Sequence, residues 1–300
     1  MSDIVFQQMD SQPAKKLKGN LILLVVAIIW GSAFVAQRIA APNLGIFTFN
    51  GLRFLLASFI LLPFVIRNRS KINSIDDRTV RGIVLAGILL WSGASLQQAG
   101  LRFTTAANAG FITSLYVVLI PIMLSLFFRR SPTTDIWVAV FLGAVGLFLI
   151  STAGKLILNP GDGLELIGAL FWAMHVILIA WLVQRINVFY LAFGQYLVCG
   201  TLGLFFGFLL ERNQFPGLSS TWWVIVYTGI FSVALGYTLQ IFGQKHTPPA
   251  HAAIILSSEA VFAALFGWLI LNETLTIIQL LGCGLVLTSI IIAQHKSLSN

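Results

Sequence analysis

The segment at residues 96–112, LQQAGLRFTTAANAGFI, recurs in altered form at residues 239–255 as LQIFGQKHTPPAHAAII. The two segments lie about 143 residues apart, and their alignment places Gln97 on Gln240. Other stretches match at nearly the same offset: IIWGSAF (28–34) with LFWAMHV (170–176), and TFNGLRFLL (48–56) with LAFGQYLVC (191–199). One near-constant offset over several elements predicts a chain built from two related halves.

The composition places both halves in a lipid bilayer. Hydrophobic residues make up 58% of the 300 residues and charged residues only 9%, whereas a soluble domain carries about 25% charged residues. Apolar runs of ~20 residues, each long enough to cross the hydrocarbon core as a helix, recur along the whole chain. The sequence therefore predicts an all-α integral membrane protein that crosses the membrane many times.

Ten apolar runs are long enough to be transmembrane helices. The predicted spans are 19–38, 46–66, 81–102, 107–128, 134–152, 163–184, 189–210, 221–243, 250–271 and 276–294. The loops between them are short, which predicts one compact bundle without an extramembrane domain.

The basic residues divide unequally between the two sides of this bundle. Thirteen of the 18 lie in the tails and the even-numbered loops, four (Arg38, Arg102, Lys155 and Arg212) lie on the opposite side, and Arg53 lies inside a span. Because cytoplasmic loops carry the excess of Lys and Arg, both termini are predicted to be cytoplasmic, in tails 1–18 and 295–300. The same rule attributes the net charge of +8 to membrane topology, so no nucleic-acid partner is expected.

The repeat unit contains an odd number of spans. Five-helix repeats at 19–155 and 162–294 would enter the membrane from opposite sides, which gives two inverted halves related by a pseudo-two-fold axis in the membrane plane. Such architecture is typical of secondary transporters, whose substrate site lies near the bilayer midplane. The expected partners are therefore the lipid bilayer and a small-molecule substrate.

Three short stretches give the chain a family resemblance. It has WGS at 30–32, EAVFAALFGW at 259–268 and the helix-end LNE at 271–273. With ten spans in two repeats, residues 19–294 resemble the drug/metabolite transporter superfamily, in its EamA-type branch. Two positions depart from the family pattern: Ala260 stands where Pro is frequent, and Arg130 stands where the second half has Glu273. The resemblance implies a multi-pass carrier of the bacterial inner membrane, usually an exporter of amino acids, metabolites or drugs.

Two charged residues lie well inside the predicted spans, Glu259 and Arg53. Such residues are costly in lipid and usually face a cavity or a partner. Glu259 is about nine residues into its helix, hence ~14 Å deep, where a carboxylate suits proton coupling or a counter-charge for substrate; the alternative is a group hydrogen-bonded between helices. Arg53 is interpreted as a structural charge, with snorkelling, pairing with Glu259 and binding of a substrate carboxylate as alternatives.

Other polar and aromatic residues on the spans are candidates for the same cavity. Glutamines at matched repeat positions indicate a cavity, whereas the glycines around them indicate helix packing. Aromatic side chains with one polar end suit a pocket for small amphipathic molecules, although they also occur in cores and facing lipid. The candidates beside Glu259 are Trp30, Gln97, Tyr116, Trp172, His175, Tyr237 and Gln240.

The sequence lacks the catalytic motifs that would indicate an enzyme. It has no H-E-x-x-H, G-x-S-x-G or P-loop motif and no Cys/His cluster with metal-ligand spacing, so neither a metal nor a cofactor is expected. The favoured interpretation is a secondary transporter of small amphipathic metabolites, with proton coupling as one hypothesis. A membrane-embedded enzyme or an assembly factor without transport activity is the alternative, and a homodimer is left open.

The asymmetry of basic residues predicts the topology directly. Reporter fusions after residue 72 and at the C-terminus should report the cytoplasm, and a fusion after residue 157 should report the outside, because 13 basic residues lie on one side and four on the other. A cytoplasmic signal from the fusion after residue 157 would contradict the inverted repeat.

Overall fold

The structure is a computed structural model that describes residues 13–67, 75–129, 132–152, 159–211 and 217–299, with side chains to residue 294. Every regular element in these ranges is a helix, and ten helices are long and apolar enough to span a membrane. They are α1 Pro13–Ala40, α2 Ile46–Arg67, α3 Asp77–Gly100, α4 Ala106–Phe128, α5 Thr134–Thr152, α6 Asp162–Leu182, α7 Val188–Leu210, α8 Leu218–Gln244, α9 Pro249–Leu271 and α10 Ile277–Ser299. The prediction of an all-α membrane protein with ten spans is confirmed.

Some sequence-based expectations fall on parts of the chain that the structure does not describe. Residues 1–12 of the predicted N-terminal tail lie outside the described ranges, as do the side chains of the predicted tail 295–300. Three basic residues named above also lie outside the described ranges: Arg130, Lys155 and Arg212.

The helix contacts follow the symmetry of the repeat. Helix α2 packs on α7, and α5 on α10, so in each pair a helix contacts its own repeat equivalent. The other extensive contacts also come in equivalent pairs: α3 with α6 matches α8 with α1, and α3 with α7 matches α8 with α2. The two halves therefore interleave, and two inverted repeats fit this arrangement.

Glycines allow the self-paired helices to approach closely. In the α2–α7 pair, a Cβ atom added to Gly203 would lie 2.6 Å from the backbone nitrogen of Gly51. In the α5–α10 pair, a Cβ on Gly282 would lie 2.6 Å from the carbonyl oxygen of Gly146. Helix association in lipid depends on van der Waals packing, so these contacts hold the two flanks of the bundle together.

The end of the bundle at which α2 begins is called the outer end. There, side chains from one helix hydrogen-bond to free backbone groups at the end of another. Glu211, at the end of α7, accepts hydrogen bonds from the backbone N–H groups of Phe47 (2.8 Å) and Thr48 (3.0 Å) and from the Thr48 hydroxyl (2.7 Å). The first N–H groups of a helix lack internal partners and favour negative charge, so this carboxylate caps α2. Arg102 donates to the carbonyls of Ala41 (2.9 Å) and Leu44 (2.8 Å) after α1.

The acidic pair at residues 76–77 starts α3. Asp76 is the N-cap and accepts hydrogen bonds from the backbone and the hydroxyl of Thr79. The hydrogen bond from the Thr79 side chain contributes most to lowering the pKa of Asp76 below its usual value. Asp76 therefore caps the N-terminus of α3.

Helices α4 and α9 are both interrupted at equivalent positions. Helix α4 has two segments, Ala106–Ser114 and Tyr116–Phe128, and α9 has segments Pro249–Leu256 and Glu259–Leu271. In α9 the hydroxyls of Ser257 and Ser258 bond back to the carbonyls three residues earlier, at 2.8 and 2.7 Å. Such bonds compete with the helical pattern and bend helices. The hydropathy pattern predicted uninterrupted spans here.

Helix α8 also departs from regular α geometry. Residues Thr228–Tyr237 form a π-helix between the α-helical segments Leu218–Tyr227 and Thr238–Gln244. Longer i to i+5 hydrogen bonds define a π-helix, and such segments are frequent at functional sites. The π segment holds Ser232 and Tyr237, both of which face the centre of the bundle.

The α5–α10 crossing can be tested with two glycines of one helix. Gly282→Ala should lower the free energy of unfolding by about 1–3 kcal/mol, because the added methyl group meets the α5 backbone. Gly284→Ala is the matched control: a Cβ there meets nothing within 4 Å, so the better helix propensity of Ala should stabilise the protein by about 0.5–1 kcal/mol. Thermal unfolding in nanodiscs measures both, and equal effects would contradict the close crossing.

Candidate functional site

A small cavity lies at the centre of the bundle, between helices of both halves. Its volume is about 30 Å³, which is room for little more than one water molecule. Its lining residues come from seven helices: Trp30, Ala33, Phe34, Gln37, Arg53, Gln97, Thr113, Tyr116, Trp172, Val176, Ser232, Tyr237, Gln240, Leu256 and Glu259. The cavity is thus nearly closed in this conformation.

Glu259 and Tyr116 contact each other across the cavity. The Tyr116 hydroxyl donates to Oε1 of Glu259 at 3.0 Å, and the Ser114 hydroxyl lies 3.4 Å from the same oxygen. Glu259 is 2% exposed, and its described partners are these hydroxyl groups, none of which is a cation. Because Tyr116 and Glu259 are repeat equivalents, 143 residues apart, their contact lies on the pseudo-two-fold axis.

The interruptions of α4 and α9 place this pair. Tyr116 is the first residue of the second segment of α4, and Glu259 is the first residue of the second segment of α9. Leu115 and Ser258 precede them in tightened turns, with ψ of −11° and −9°. The same local geometry therefore presents both side chains to the cavity, from opposite halves.

Aromatic rings form one wall of the cavity around Tyr237. Its ring centroid lies 4.7 Å from that of Trp30 and 6.0 Å from that of Trp172, with the Trp172 and Tyr237 rings nearly parallel. The Trp30 indole donates to the carbonyl of Ser232 in the π segment at 3.2 Å, whereas Nε1 of Trp172 has no hydrogen-bond partner in the described structure. Two tryptophans at equivalent repeat positions thus flank one tyrosine.

Arg53 lies at the cavity and is 2% exposed. Its Nη1 donates to Gln37 Oε1 at 2.9 Å and its Nε to Asn50 Oδ1 at 3.0 Å, and the guanidinium stacks on Phe49 and Phe54. The described partners are thus amide oxygens and phenyl rings, none of them an anion. Arg53 neither snorkels to the surface nor pairs with Glu259 in this conformation. Its interpretation as a structural charge stays a prediction.

The two equivalent glutamines reach the cavity through different networks. Gln97 lies 3.4 Å from Gln37 Oε1, the atom that also accepts from Arg53. Gln240 donates to Gln244 at 3.0 Å, and its own Oε1 has no described partner. Gln97 therefore contacts the side chain that accepts from Arg53, whereas Gln240, which lines the cavity, has an acceptor oxygen without a described partner.

His175 lies behind the cavity wall. It is buried, its Nε2 lies 2.9 Å from Gln195 Oε1, and its ring meets Trp172 and Tyr237 edge-on. His175 is the one candidate that does not line the cavity in this conformation. The structure brings the other seven candidates together with Arg53, while their functional roles stay predictions.

Several cavity residues were absent from the predicted set. Gln37 lies seven residues after Trp30, hence on the same helical face, and a polar residue on that face was the available signal. Ser232, whose backbone carbonyl accepts from the Trp30 indole, lies eight residues before Gln240, and this helical spacing was the available signal. Thr113 lies in the last turn before the interruption of α4 and lines the cavity.

The helix-end LNE has a structural role. Asn272 adopts the left-handed conformation, with φ 55°, and its N–H bonds to the carbonyl of Gly267 to end α9. Glu273 follows at the outer end, where partial burial raises its pKa above the usual value and the charge of Arg38 opposes that shift. These residues lie outside the central cavity.

Ten spans in two interleaved repeats around a central cavity define a membrane protein of the carrier type. The sequence model described as the EamA-like transporter family matches residues 17–152 and, a second time, residues 159–293. The chain belongs to the EamA-like transporter family. The two matches correspond to the two repeats.

Individual relatives agree with this assignment. An uncharacterized transporter of Archaeoglobus fulgidus is 34% identical over 97% of this chain and 90% of its own length. The uncharacterized inner membrane transporter YedA of Escherichia coli K12 is 23% identical over 90% of this chain and 88% of its own length. A solved crystal structure has the same fold, with a TM-score of 0.76 at 15% identity over 92% of this chain and 98% of that chain.

The environment of Arg53 makes a prediction about stability. Gln37→Leu removes the Nη1 acceptor and leaves the buried cation, so the free energy of unfolding should fall by about 1–3 kcal/mol. Arg53→Met removes the buried charge itself, which is often neutral or stabilising, so it should be less destabilising than Gln37→Leu. Thermal unfolding in nanodiscs gives the comparison. A larger loss of stability for Arg53→Met than for Gln37→Leu would contradict this order and show that the guanidinium stabilises the fold.

Proposed function

We propose that this protein is a secondary transporter that exports small amphipathic metabolites, amino acids above all, across a bacterial inner membrane by alternating access, with both termini in the cytoplasm. One observation carries the proposal: residues from both inverted repeats enclose a central cavity that contains one carboxylate and one guanidinium. Secondary transporters place their substrate site at this repeat interface.

The two charges favour a zwitterionic substrate. Glu259 has hydroxyl partners only, and Arg53 has neutral partners only, among the described residues. Buried charges are usually paired, because removal from water is costly. An amino acid would pair its carboxylate with Arg53 and its amine with Glu259, while its side chain meets Trp30, Trp172 or Tyr237. This pairing favours amino acids over apolar drug-like compounds.

The size of the cavity supports a transport cycle. Sites for small molecules typically have volumes of about 300–1,000 Å³, whereas this cavity has about 30 Å³. Substrate therefore requires a wider conformation, and the interruptions of α4 and α9 provide equivalent bending points in the two halves. Rocking about the axis through Tyr116 and Glu259 would open each side in turn.

A proton provides a route to directed export. An ionised Glu259 holds the substrate amine, and protonation from the outer side neutralises the carboxylate and releases the amine. Return of the protonated carrier then moves a proton inward for each substrate moved outward. In this cycle transport rises as the outside becomes more acidic than the inside.

The direct test is transport by the purified protein in proteoliposomes. The compounds tested are amino acids and antibiotics that give a resistance phenotype in overexpressing cells. Their flux is measured for protein inserted inside-out and right-side-out, with and without a pH gradient. Saturable flux that requires the protein supports a transporter. The alternative, a membrane-embedded enzyme or an assembly factor, predicts no flux for any compound in these vesicles.

Glu259→Gln tests the role of the charge. Gln retains the size and most hydrogen bonding of Glu but cannot change charge, so thermal stability and expression should stay nearly unchanged while the pH dependence of transport is lost. Glu273→Gln is a matched control, because Glu273 is half-buried outside the cavity. It should retain the wild-type pH profile. A wild-type profile in Glu259→Gln would leave Glu259 as a group that only holds helices together.

A further inference from the structure

A second buried carboxylate lies between the central cavity and the outer end of the bundle. Glu165, in the first turn of α6, has an exposed fraction of 0%. Its Oε2 accepts a hydrogen bond from the Thr113 hydroxyl at 3.1 Å, and its Oε1 has no hydrogen-bond partner in the described structure. A fully buried acid with a single donor is an unusual feature, and the transport cycle above does not use it.

The backbone of α3 closes the space around the unpartnered oxygen. Gly100 packs so tightly on Glu165 that an added Cβ would lie 2.7 Å from Oε1. This contact leaves α3 no side chain with which to neutralise the carboxylate at that point. Burying an ionised carboxylate without a cation is far more costly than burying a neutral acid, so the site suits a carboxyl group that holds a proton.

Among the residues that the structure describes, no charged group on the surrounding helices compensates Glu165. Asp162, one turn earlier on α6, is the charged residue that acts on it, and it has the same sign. Arg102, at the end of α3, directs its guanidinium to the carbonyls of Ala41 and Leu44 instead. From α4 and α5 the neighbouring groups are neutral: Thr113, Asn108 and Ser151.

Asp162, on the same face of α6, has more hydrogen-bond donors than Glu165. Its Oδ1 accepts from Asn108 at 2.6 Å and its Oδ2 from the backbone N–H of Asn159 at 2.8 Å. Both oxygens of Asp162 therefore have donors, whereas only one oxygen of Glu165 does. Of the two acids on this face of α6, the outer one has a described donor at each oxygen and the inner one at a single oxygen.

Thr113 connects Glu165 to the central cavity. Its side chain bonds to Glu165, and the same residue lines the cavity together with Glu259. The order from the centre outward is the cavity, Thr113, Glu165 and then Asp162 near the start of α6. This order is suited to a proton that moves between the outer surface and the cavity.

We propose that Glu165 is a proton-binding site that exchanges protons between the outer aqueous side and the central cavity. The O–H bond of the Glu165 carboxylic acid breaks and the proton passes to a cavity water beside Thr113, which becomes a hydronium ion. A hydronium ion from the outer side then returns a proton to the carboxylate and leaves as water. Proton binding at Glu165 stands independently of the proposed function, while its use in transport rests on that function.

Infrared difference spectroscopy tests proton binding without any substrate. The wild-type protein in nanodiscs is titrated with acid and base, and the carbonyl band of protonated carboxyl groups is followed in H₂O and D₂O. Glu165→Gln should remove one component of that band and Glu259→Gln a different one, whereas the control Glu273→Gln should remove neither of these two. Thr113→Val should shift the Glu165 component without removing it.

Several outcomes would overturn the proposal. A Glu165→Gln spectrum identical to that of the wild type excludes proton exchange at this residue. A Glu165 component that disappears on replacing choline chloride with sodium chloride at constant pH would assign the site to a metal cation instead. If Glu165→Gln fails to fold, an unshifted band in Thr113→Val contradicts the proposal by itself.

The two proposals can fail separately. Loss of the Glu165 component in Glu165→Gln, combined with no flux of any compound in proteoliposomes, would retain the proton site and reject the transporter cycle. Flux with a wild-type pH profile in Glu165→Gln would retain the transporter and remove Glu165 from its proton path.

Discussion

The hydrogen bond between Tyr116 and Glu259 defines the centre of this molecule. Two equivalent residues of an inverted repeat contact each other only on the symmetry axis, so this bond of 3.0 Å marks where the axis passes through the cavity. A carboxylate at that depth is tolerated only when surrounded by protein, because lipid offers no donors. The enclosure of Glu259 among seven helices meets that requirement.

The sequence is sufficient to predict much of this architecture. Hydropathy locates ten spans because each must cross the same apolar thickness, and the offset between Gln97 and Gln240 locates a shared cavity because equivalent residues surround one axis. Seven of eight candidates line that cavity. His175 is the exception: it shares a helix with Trp172 but turns to Gln195, since a polar partner on a neighbouring helix decides where a buried imidazole points.

What the sequence does not reveal depends on local hydrogen bonding. The bends of α4 and α9 arise where serine hydroxyls or a shortened turn replace regular helical bonds, and the average apolarity of the segment does not change there. The π segment of α8 is likewise invisible to hydropathy. The acid Glu165 lies near a predicted helix end, where a charged residue normally faces water. In the structure it is fully buried, with Gly100 packed against its Oε1.

The interleaving of the halves has a consequence for how the chain is made. Helices α2 and α3 emerge from the ribosome well before α6, α7 and α8, which they contact in the finished bundle. Until those later helices are inserted, Arg53 and Gln97 lack the enclosure that they have in the native structure. The first half alone therefore has the hydrogen-bond partners of Arg53 and Gln97, which are Gln37 and Asn50, but lacks the later helices that bury them. Correct assembly therefore depends on how soon the second repeat follows the first. A pause in synthesis between the repeats would prolong the stage at which the polar groups of the first half are not yet enclosed.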